Sequence, residues 1–139
     1  MVNAVFVNVP KSAVVRQYNV GANNSISGGA LLALTDPRTA SGAYTTRIAA
    51  AGVAAAEKDY LNTEDVKIGI YEPGSGVIVD VEASGAVPLG GFVMLSGANK
   101  VSWLDADPFS GAHVLEMLRY KFGRSLETAS NAEIFEVEL

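Results

Sequence analysis

The stretch Val77-Ile78-Val79-Asp80-Val81 decides the fold class, because it is a short run of strand-forming residues next to glycine-marked turns. It leads through Ala86–Gly91 into a second such run, Phe92–Leu95. The chain ends on Ile134–Leu139, where apolar and acidic residues alternate up to the last position. Loose termini are usually small and polar, so a patterned terminus indicates a strand in a sheet. The sequence therefore predicts a compact, mainly β protein whose surface, rather than a pocket, carries its function.

The composition indicates one domain with a substantial core. The chain has 139 residues, of which 49% are apolar and 18% are charged, whereas about 25% charged residues are usual in globular domains. This deficit of charge favours a protein that buries part of its surface against partners. A monomer with a smooth surface of small residues is the alternative.

The charge pattern and the cysteine count argue against several functions. The net charge is −5 and the lysines and arginines are scattered singly, so direct nucleic-acid binding, which needs clustered cations, is not expected. Without cysteines there is neither a disulfide framework nor a thiolate metal site. No run approaches the roughly 18 apolar residues of a membrane span, and Met1–Pro10 does not resemble a signal peptide. We therefore expect no membrane association and no secretion by the general route.

The first part of the chain predicts shorter strands and turns. Val2–Val9 is apolar at nearly every position and predicts an edge strand or an arm that lies on another surface. We divide the chain into residues 1–20, an N-terminal arm and first strand region, and residues 21–139, the main β domain. Ala30–Leu34 predicts a strand, and the small, polar Thr39–Tyr44 predicts an exposed loop.

Two further strands and one helix complete the prediction. Thr45–Ala56 is rich in alanine, but a central glycine disfavours helix and the segment is interpreted as a strand. Val66–Tyr71 has the two-residue period of a half-buried strand. Gly111–Leu118 is the one credible helix, with apolar residues at helical spacing behind Asp107–Pro108. Short strands with turns about every ten residues predict a barrel or a sandwich.

No cluster of residues predicts catalysis, and we expect neither a cofactor nor a metal. His113 is the only histidine; it lies on the predicted helix, and no Gly-x-Ser-x-Gly motif accompanies it. No glycine-rich phosphate loop occurs. Asp105 and Asp107 could offer two carboxylates to a cation, but the other oxygen ligands of a calcium loop are missing, so a solvated loop is the better interpretation.

Three side chains have both a structural and a functional interpretation. Lys100 lies at a predicted hairpin turn, as the modified lysine of biotinyl and lipoyl carrier domains does. The Met-Lys-Met or Asp-Lys-Ala context of those domains is missing, which favours an ordinary surface lysine. Trp103 and Phe109 flank the acidic loop and are candidate interface aromatics, since aromatic residues anchor such contacts. Core packing is the alternative for both.

The order of several segments carries a resemblance to a known family. The segments are Ile48–Ala54, Lys67–Tyr71, Val87–Val93, Asn99–Val101, Phe122–Ser130 and the terminal Ile134–Leu139. In this order the chain resembles the small capsid decoration (cement) proteins of tailed viruses with an HK97-type shell. The matching tail is a Gly-x-Ser-Leu-Glu stretch at Gly123–Glu127, a short turn and a last alternating strand.

The resemblance implies a β-tulip or related small β-barrel with one short helix, an extended N-terminal arm and no enzymatic activity. It implies a virion protein of a bacteriophage, made in the host cytoplasm, that binds the outer surface of the assembled capsid as a homotrimer and contacts the major capsid protein. Relatives often use an N-terminal arm for this. Here the candidate arm is Val2–Pro10, with the contact residues Val5, Phe6, Val7, Val9 and Pro10. A tail or head-fibre component is the alternative within viral structural proteins.

Overall fold

The structure is a computed structural model that describes residues 3–20, 25–36, 38–42, 44, 48–55, 58–59, 67–97, 99–104 and 119–139. Within these ranges the chain is built of strands. They are β1 (Val5–Asn8), β2 (Val15–Val20), β3 (Ser25–Ile26), β4 (Leu31–Thr35), β5 (Thr39–Ser41), β6 (Ala50–Ala54), β7 (Lys58–Asp59), β8 (Lys67–Tyr71), β9 (Ile78–Ala83), β10 (Phe92–Leu95), β11 (Lys100–Trp103), β12 (Gly123–Ser125) and β13 (Ile134–Glu138).

The first half of the chain closes a small barrel in the strand order β2-β5-β4-β6-β8, with β8 paired back onto β2. β2 and β5 run parallel, and the other neighbours are antiparallel. Gly52 allows β6 and β8 to approach closely, because a Cβ at this position would lie 2.0 Å from the carbonyl oxygen of Tyr71. The barrel's hydrophobic cluster contains Tyr18 and otherwise small and medium side chains, among them Val20, Leu32, Ala40, Ala51, Ile68 and Ile70.

The second half closes another barrel in the order β9-β11-β10-β12-β13, and β13 pairs with β9 to complete it. Side chains alternate along β9 and β13. Val79, Val81, Phe135 and Val137 point inward and are buried, as the two-residue period of a half-buried strand requires. Two strands share one edge of β9: β11 pairs with Glu82 and Ala83, and β1 pairs with residues 78–80.

Two strands of the first barrel separate the two interiors. Leu31 and Ala33 of β4 belong to the same hydrophobic cluster as the second barrel, whereas Leu32 between them faces the first barrel's interior. Val53 of β6 also packs against the second barrel. A strand buried on both faces has no polar side, and this explains why Ala30–Ala33 is continuously apolar in sequence.

A side-chain hydrogen bond joins the barrels at the turn between β10 and β11. β5 pairs only with Ala33–Thr35 of β4 and leaves the N–H of Leu31 without a strand partner. That N–H donates to Oδ1 of Asn99 at 2.9 Å. Asn99 has a left-handed φ of 59°, a conformation that asparagine tolerates better than most residues. The tip of the β10–β11 hairpin is thereby fixed against the first barrel.

The predicted fold class, mainly β with small barrels, is confirmed. The exposed loop predicted for Thr39–Tyr44 is wrong for Thr39–Ser41, which forms β5 with Ala40 fully buried. The predicted helix Gly111–Leu118 lies outside the described residues. Residues 1–20 contribute strands to both barrels, because β1 pairs with β9 and β2 pairs with β5 and β8.

Candidate interaction surface

The N-terminal segment lies on the protein's own second barrel as an edge strand. β1 is antiparallel to β9, with Val5 opposite Asp80 and Phe6 opposite Val79. The register then shifts, so that Asn8 faces Ile78 and the residue between, Val7, is the extra residue of a β-bulge. Within the described residues β1 pairs with no strand besides β9, so its other edge is open.

The candidate contact residues of the arm differ in how far a partner can reach them. Val5, Val7 and Val9 are 53%, 46% and 42% exposed. Phe6 lies opposite the buried Val79 and packs edge-on against Tyr71, with ring centroids 5.6 Å apart at an interplanar angle of 75°. Pro10 is half-buried. The three valines are therefore the members of the predicted arm that a partner can reach.

A close backbone approach holds the start of β1. The N–H of Ala4 donates to the carbonyl oxygen of Gly29 at 2.8 Å, and the N–H of Gly29 donates to the carbonyl oxygen of Ala54 at 2.9 Å. A Cβ on Gly29 would lie 2.2 Å from the carbonyl oxygen of Ala4, so only glycine permits this contact. Ala4 is buried. The valines of β1 are thus presented on a strand that is anchored at Ala4, the residue just before it.

Acidic side chains lie beside the valines on the outer face of the second barrel. Asp80 on β9 is directly opposite Val5 on one side and directly opposite Glu136 of β13 on the other. Residues directly opposite each other on paired strands project to the same face. Both carboxylates are half-buried. Val5, Asp80 and Glu136 thus form one row across three strands.

The rows on either side of this one contain cations. Lys100 Nζ lies 3.4 Å from Glu82 Oε2, and Arg124 Nη2 lies 3.9 Å from Glu138 Oε1. Asp80 and Glu136 have no cation within ion-pair distance among the described residues. The central row is therefore the electronegative part of this face.

Trp103 is 41% exposed at the end of β11, so it does not lie in the core. Near it, Leu89 is 68% exposed in the turn before β10. A Cβ on Gly91 would lie 3.2 Å from Trp103 Cδ1 and 3.0 Å from Pro88 Cγ, which places the indole against this turn. The second candidate aromatic, Phe109, lies outside the described residues, as do His113, Asp105 and Asp107.

The structure gives Lys100 an ordinary role. It is the first residue of β11, and its ammonium lies beside Glu82 rather than extending from a loop. The hairpin tip next to it is held against the first barrel by Asn99. A carrier lysine must protrude so that a ligase can reach it, and this geometry does not favour that role.

A cleft of 630 Å³ opens on the first barrel and is lined mostly by polar residues. Arg16 Nε lies 2.7 Å from Glu72 Oε1. The guanidinium of Arg38 lies 4.9 Å above the ring of Tyr18, and its Nε donates to the carbonyl oxygen of Gln17 at 3.2 Å. Burial raises the pKa of Tyr18, and its hydrogen bond to Glu72 raises it further. Among the described residues, the cations Arg16 and Arg38 of the cleft are thus held by Glu72, by Tyr18 and by a backbone carbonyl.

The chain has no significant similarity to a protein-family model or to a curated protein. Among the described residues no three acidic, histidine or cysteine side chains are grouped to hold a metal ion. Within the same part of the chain no helix is long and apolar enough to cross a membrane.

Sequence reasoning missed two features of this surface. It noted Asp80 and Glu136 only as parts of strands, because their juxtaposition depends on the pairing of β9 with β13. It also gave no role to Leu89. The Pro-Leu-Gly-Gly turn at 88–91 was the available signal, since a leucine between proline and glycine in a turn has no strand or helix face to bury it.

Proposed function

We propose that the protein is a capsid decoration protein, which binds the outer surface of an assembled viral shell, contacts the major capsid protein and reinforces the shell. The order of segments that resembles this family is one support. The single observation that carries the proposal is the exposure of Val5, Val7 and Val9 in and beside β1, because these residues belong to the N-terminal segment that proteins of the family it resembles often use to contact the shell.

The valines suit a surface of many weak contacts. Complete burial of a valine contributes about 1.5 kcal/mol or more, so burying the exposed half of each gives roughly 1 kcal/mol. A strand that is already ordered loses little backbone entropy on binding, whereas ordering a free arm costs about 1–2 kcal/mol per residue. Because β1 is already fixed on the barrel, most of the free energy gained by burying the valines is available for binding the shell.

Reinforcement follows from linkage between binding and assembly. A ligand that binds the assembled shell, and not the dissociated subunits, shifts the equilibrium towards assembly. If one homotrimer engages several capsid subunits, each contact is strengthened by the high effective concentration of the others. No strong single site is then needed.

The test is co-sedimentation of the protein with assembled, undecorated capsids, scored for saturation stoichiometry and for the melting temperature of the shell. We expect a fixed number of copies per capsid subunit and a raised melting temperature. Val7→Thr, which keeps the branched shape of the side chain but adds a hydroxyl, is expected to weaken binding. Val14→Thr is the matched control, since Val14 is 61% exposed but lies outside β1.

The outcomes separate the surface from the function. Equal binding by both variants would remove β1 from the interface while leaving the decoration role intact. Failure of the wild-type protein to bind any shell would contradict the decoration role.

A further inference from the structure

The outer face formed by β1, β9 and β13 combines exposed apolar residues with an uncompensated pair of acids. We call it the β1 face and define it by Val5, Val7, Asp80 and Glu136. Val5 and Val7 supply apolar surface at the open edge. Asp80 and Glu136 supply two carboxylates on the adjacent strands.

The acidic pair is unfavourable for the isolated protein. Like charges directly opposite on paired strands destabilise a sheet, by roughly 0.2–1 kcal/mol. In the neighbouring rows each acid lies opposite an isoleucine, Glu82 opposite Ile134 and Glu138 opposite Ile78, and each is also near a cation. The row with Asp80 and Glu136 has no such cation among the described residues. A cation supplied by a partner would relieve the repulsion and gain an attraction to both carboxylates.

We propose that the β1 face docks against a protein surface that places a lysine or arginine between Asp80 and Glu136 and apolar side chains against Val5 and Val7. The proposal rests on the proposed function and names the chemistry of the capsid surface that would be recognised. Electrostatic complementarity of this kind selects the partner and accelerates encounter more than it adds affinity.

Other occupants fit the face less well. Nucleic acid carries the same sign of charge as Asp80 and Glu136 and would be repelled. A second copy docked through the same face about a two-fold axis would bring acidic pairs together at neutral pH. A metal ion would find no third acidic, histidine or cysteine ligand there among the described residues.

Docking through side chains suits this face better than addition of a strand. An added strand needs a regular row of N–H and C=O groups along the edge. The bulge at Val7 interrupts that row, and bulges are a common means by which edge strands avoid pairing. The partner is therefore expected to lie across the face rather than extend the sheet.

The first experiment compares capsid binding by Asp80→Asn, Glu136→Gln and a control, Asp36→Asn, at 50 and 300 mM NaCl. Each substitution removes one negative charge, and Asp36 is exposed on the first barrel, away from the β1 face. At the lower salt concentration we expect the two face variants to bind about three- to fivefold more weakly. They should also lose part of the salt dependence, whereas the control behaves as wild type. Urea unfolding should show the face variants to be as stable as wild type or more so, since they relieve repulsion.

A second experiment does not need the capsid. A peptide of alternating lysine and valine is titrated into the wild-type protein while backbone amide shifts are followed by NMR. Shifts concentrated on β1, β9 and β13 would support the proposal, and shifts spread equally over all acidic surfaces, including Asp36, would overturn it. If the wild-type protein binds capsids and the face variants bind as well as Asp36→Asn, the proposal fails while the decoration role stands. If the wild-type protein binds no capsid, the decoration role fails and the peptide titration decides the β1 face.

Discussion

Replacing Gly29 with alanine is expected to loosen β1 from the rest of the protein. Gly29 has a φ of +82°, and an added Cβ would lie 2.2 Å from the carbonyl oxygen of Ala4, well inside the 3.0 Å that real Cβ contacts respect. The N–H of Ala4 donates to Gly29 at 2.8 Å. A methyl group would therefore push the chain at Ala4 outward and break this hydrogen bond.

The size of the effect follows from two contributions. Alanine in the left-handed region costs about 1–2 kcal/mol. Loss of the bond leaves the N–H of the buried Ala4 without a partner, which costs about 1–3 kcal/mol more. Gly74→Ala is the matched control, because Gly74 has a φ of +94° but nothing within 4 Å of the added Cβ. Gly74→Ala should lose only the stability that a left-handed alanine costs. The difference in free energy of unfolding between the two variants therefore isolates the contact with Ala4.

Urea unfolding gives the two free energies, and hydrogen exchange shows where the structure loosens. Gly29→Ala should lose about 2–5 kcal/mol and should expose the amides of β1 to faster exchange. Gly74→Ala should lose about 1–2 kcal/mol and leave β1 protected. Equal losses in the two variants, with unchanged protection of β1, would refute the argument that the Ala4–Gly29 contact anchors the strand.

Two further predictions concern Tyr44, which packs against the hydrophobic cluster of the second barrel, and Asn99, which bonds to β4 of the first barrel. Burial raises the pKa of Tyr44 to about 12 from its ordinary 10. The contribution of the neutral tyrosine to the free energy of unfolding is therefore complete below pH 10 and is lost as the pH rises towards 12. At pH 11 Tyr44→Phe should abolish about 1 kcal/mol of the alkaline loss seen in wild type, as measured by urea unfolding at pH 8 and pH 11. Asn99→Ala removes the acceptor for the N–H of buried Leu31 and should cost about 1–3 kcal/mol in thermal or urea unfolding. Asn99→Asp keeps that oxygen and should cost clearly less; equal losses would contradict the assigned hydrogen bond.

Two strands of the second barrel, β9 and β13, were predictable because each has its own local pattern. β9 and β13 alternate between buried and outward residues, and the sequence shows that period directly. β5 was not predictable, since Thr39-Ala40-Ser41 is short and polar and is held in place by β2 and β4 on its two sides. Its structure comes from tertiary pairing, which overrides weak local preference.

The division into two barrels could not be read from local pattern either. Leu31, Leu32 and Ala33 gave a continuous apolar run, which is compatible with any buried strand. Only the pairing of β4 with β5 and β6 shows that alternate residues of this run face different interiors. The sequence predicted the class of fold, while the number of barrels depends on contacts between residues far apart in the chain.

The candidate surface was predicted in part. An apolar N-terminal segment indicated an edge strand or an arm, and the structure places it as an edge strand with three exposed valines. Alternation puts Val5 and Phe6 on opposite sides, so the inward position of Phe6 was within reach of the sequence, whereas the bulge at Val7 was not. The acidic neighbours were not, because a register shift of one residue would move every side chain of β1 to the opposite face.

The weakness of the individual contact is itself an argument for the proposed role. Roughly 1 kcal/mol from each of three half-exposed valines gives about 3 kcal/mol per protomer, less than the 4.1 kcal/mol that corresponds to a millimolar Kd. One protomer would therefore bind a single capsid subunit poorly, and the charge of the β1 face would chiefly select the partner and orient the encounter. Linking such contacts in a homotrimer on a repeating lattice multiplies their affinity without any new contact. A protein of this kind stays dissociated from free capsid subunits and accumulates only where assembly has already placed several sites within its reach, and this is the condition under which binding stabilises the finished shell.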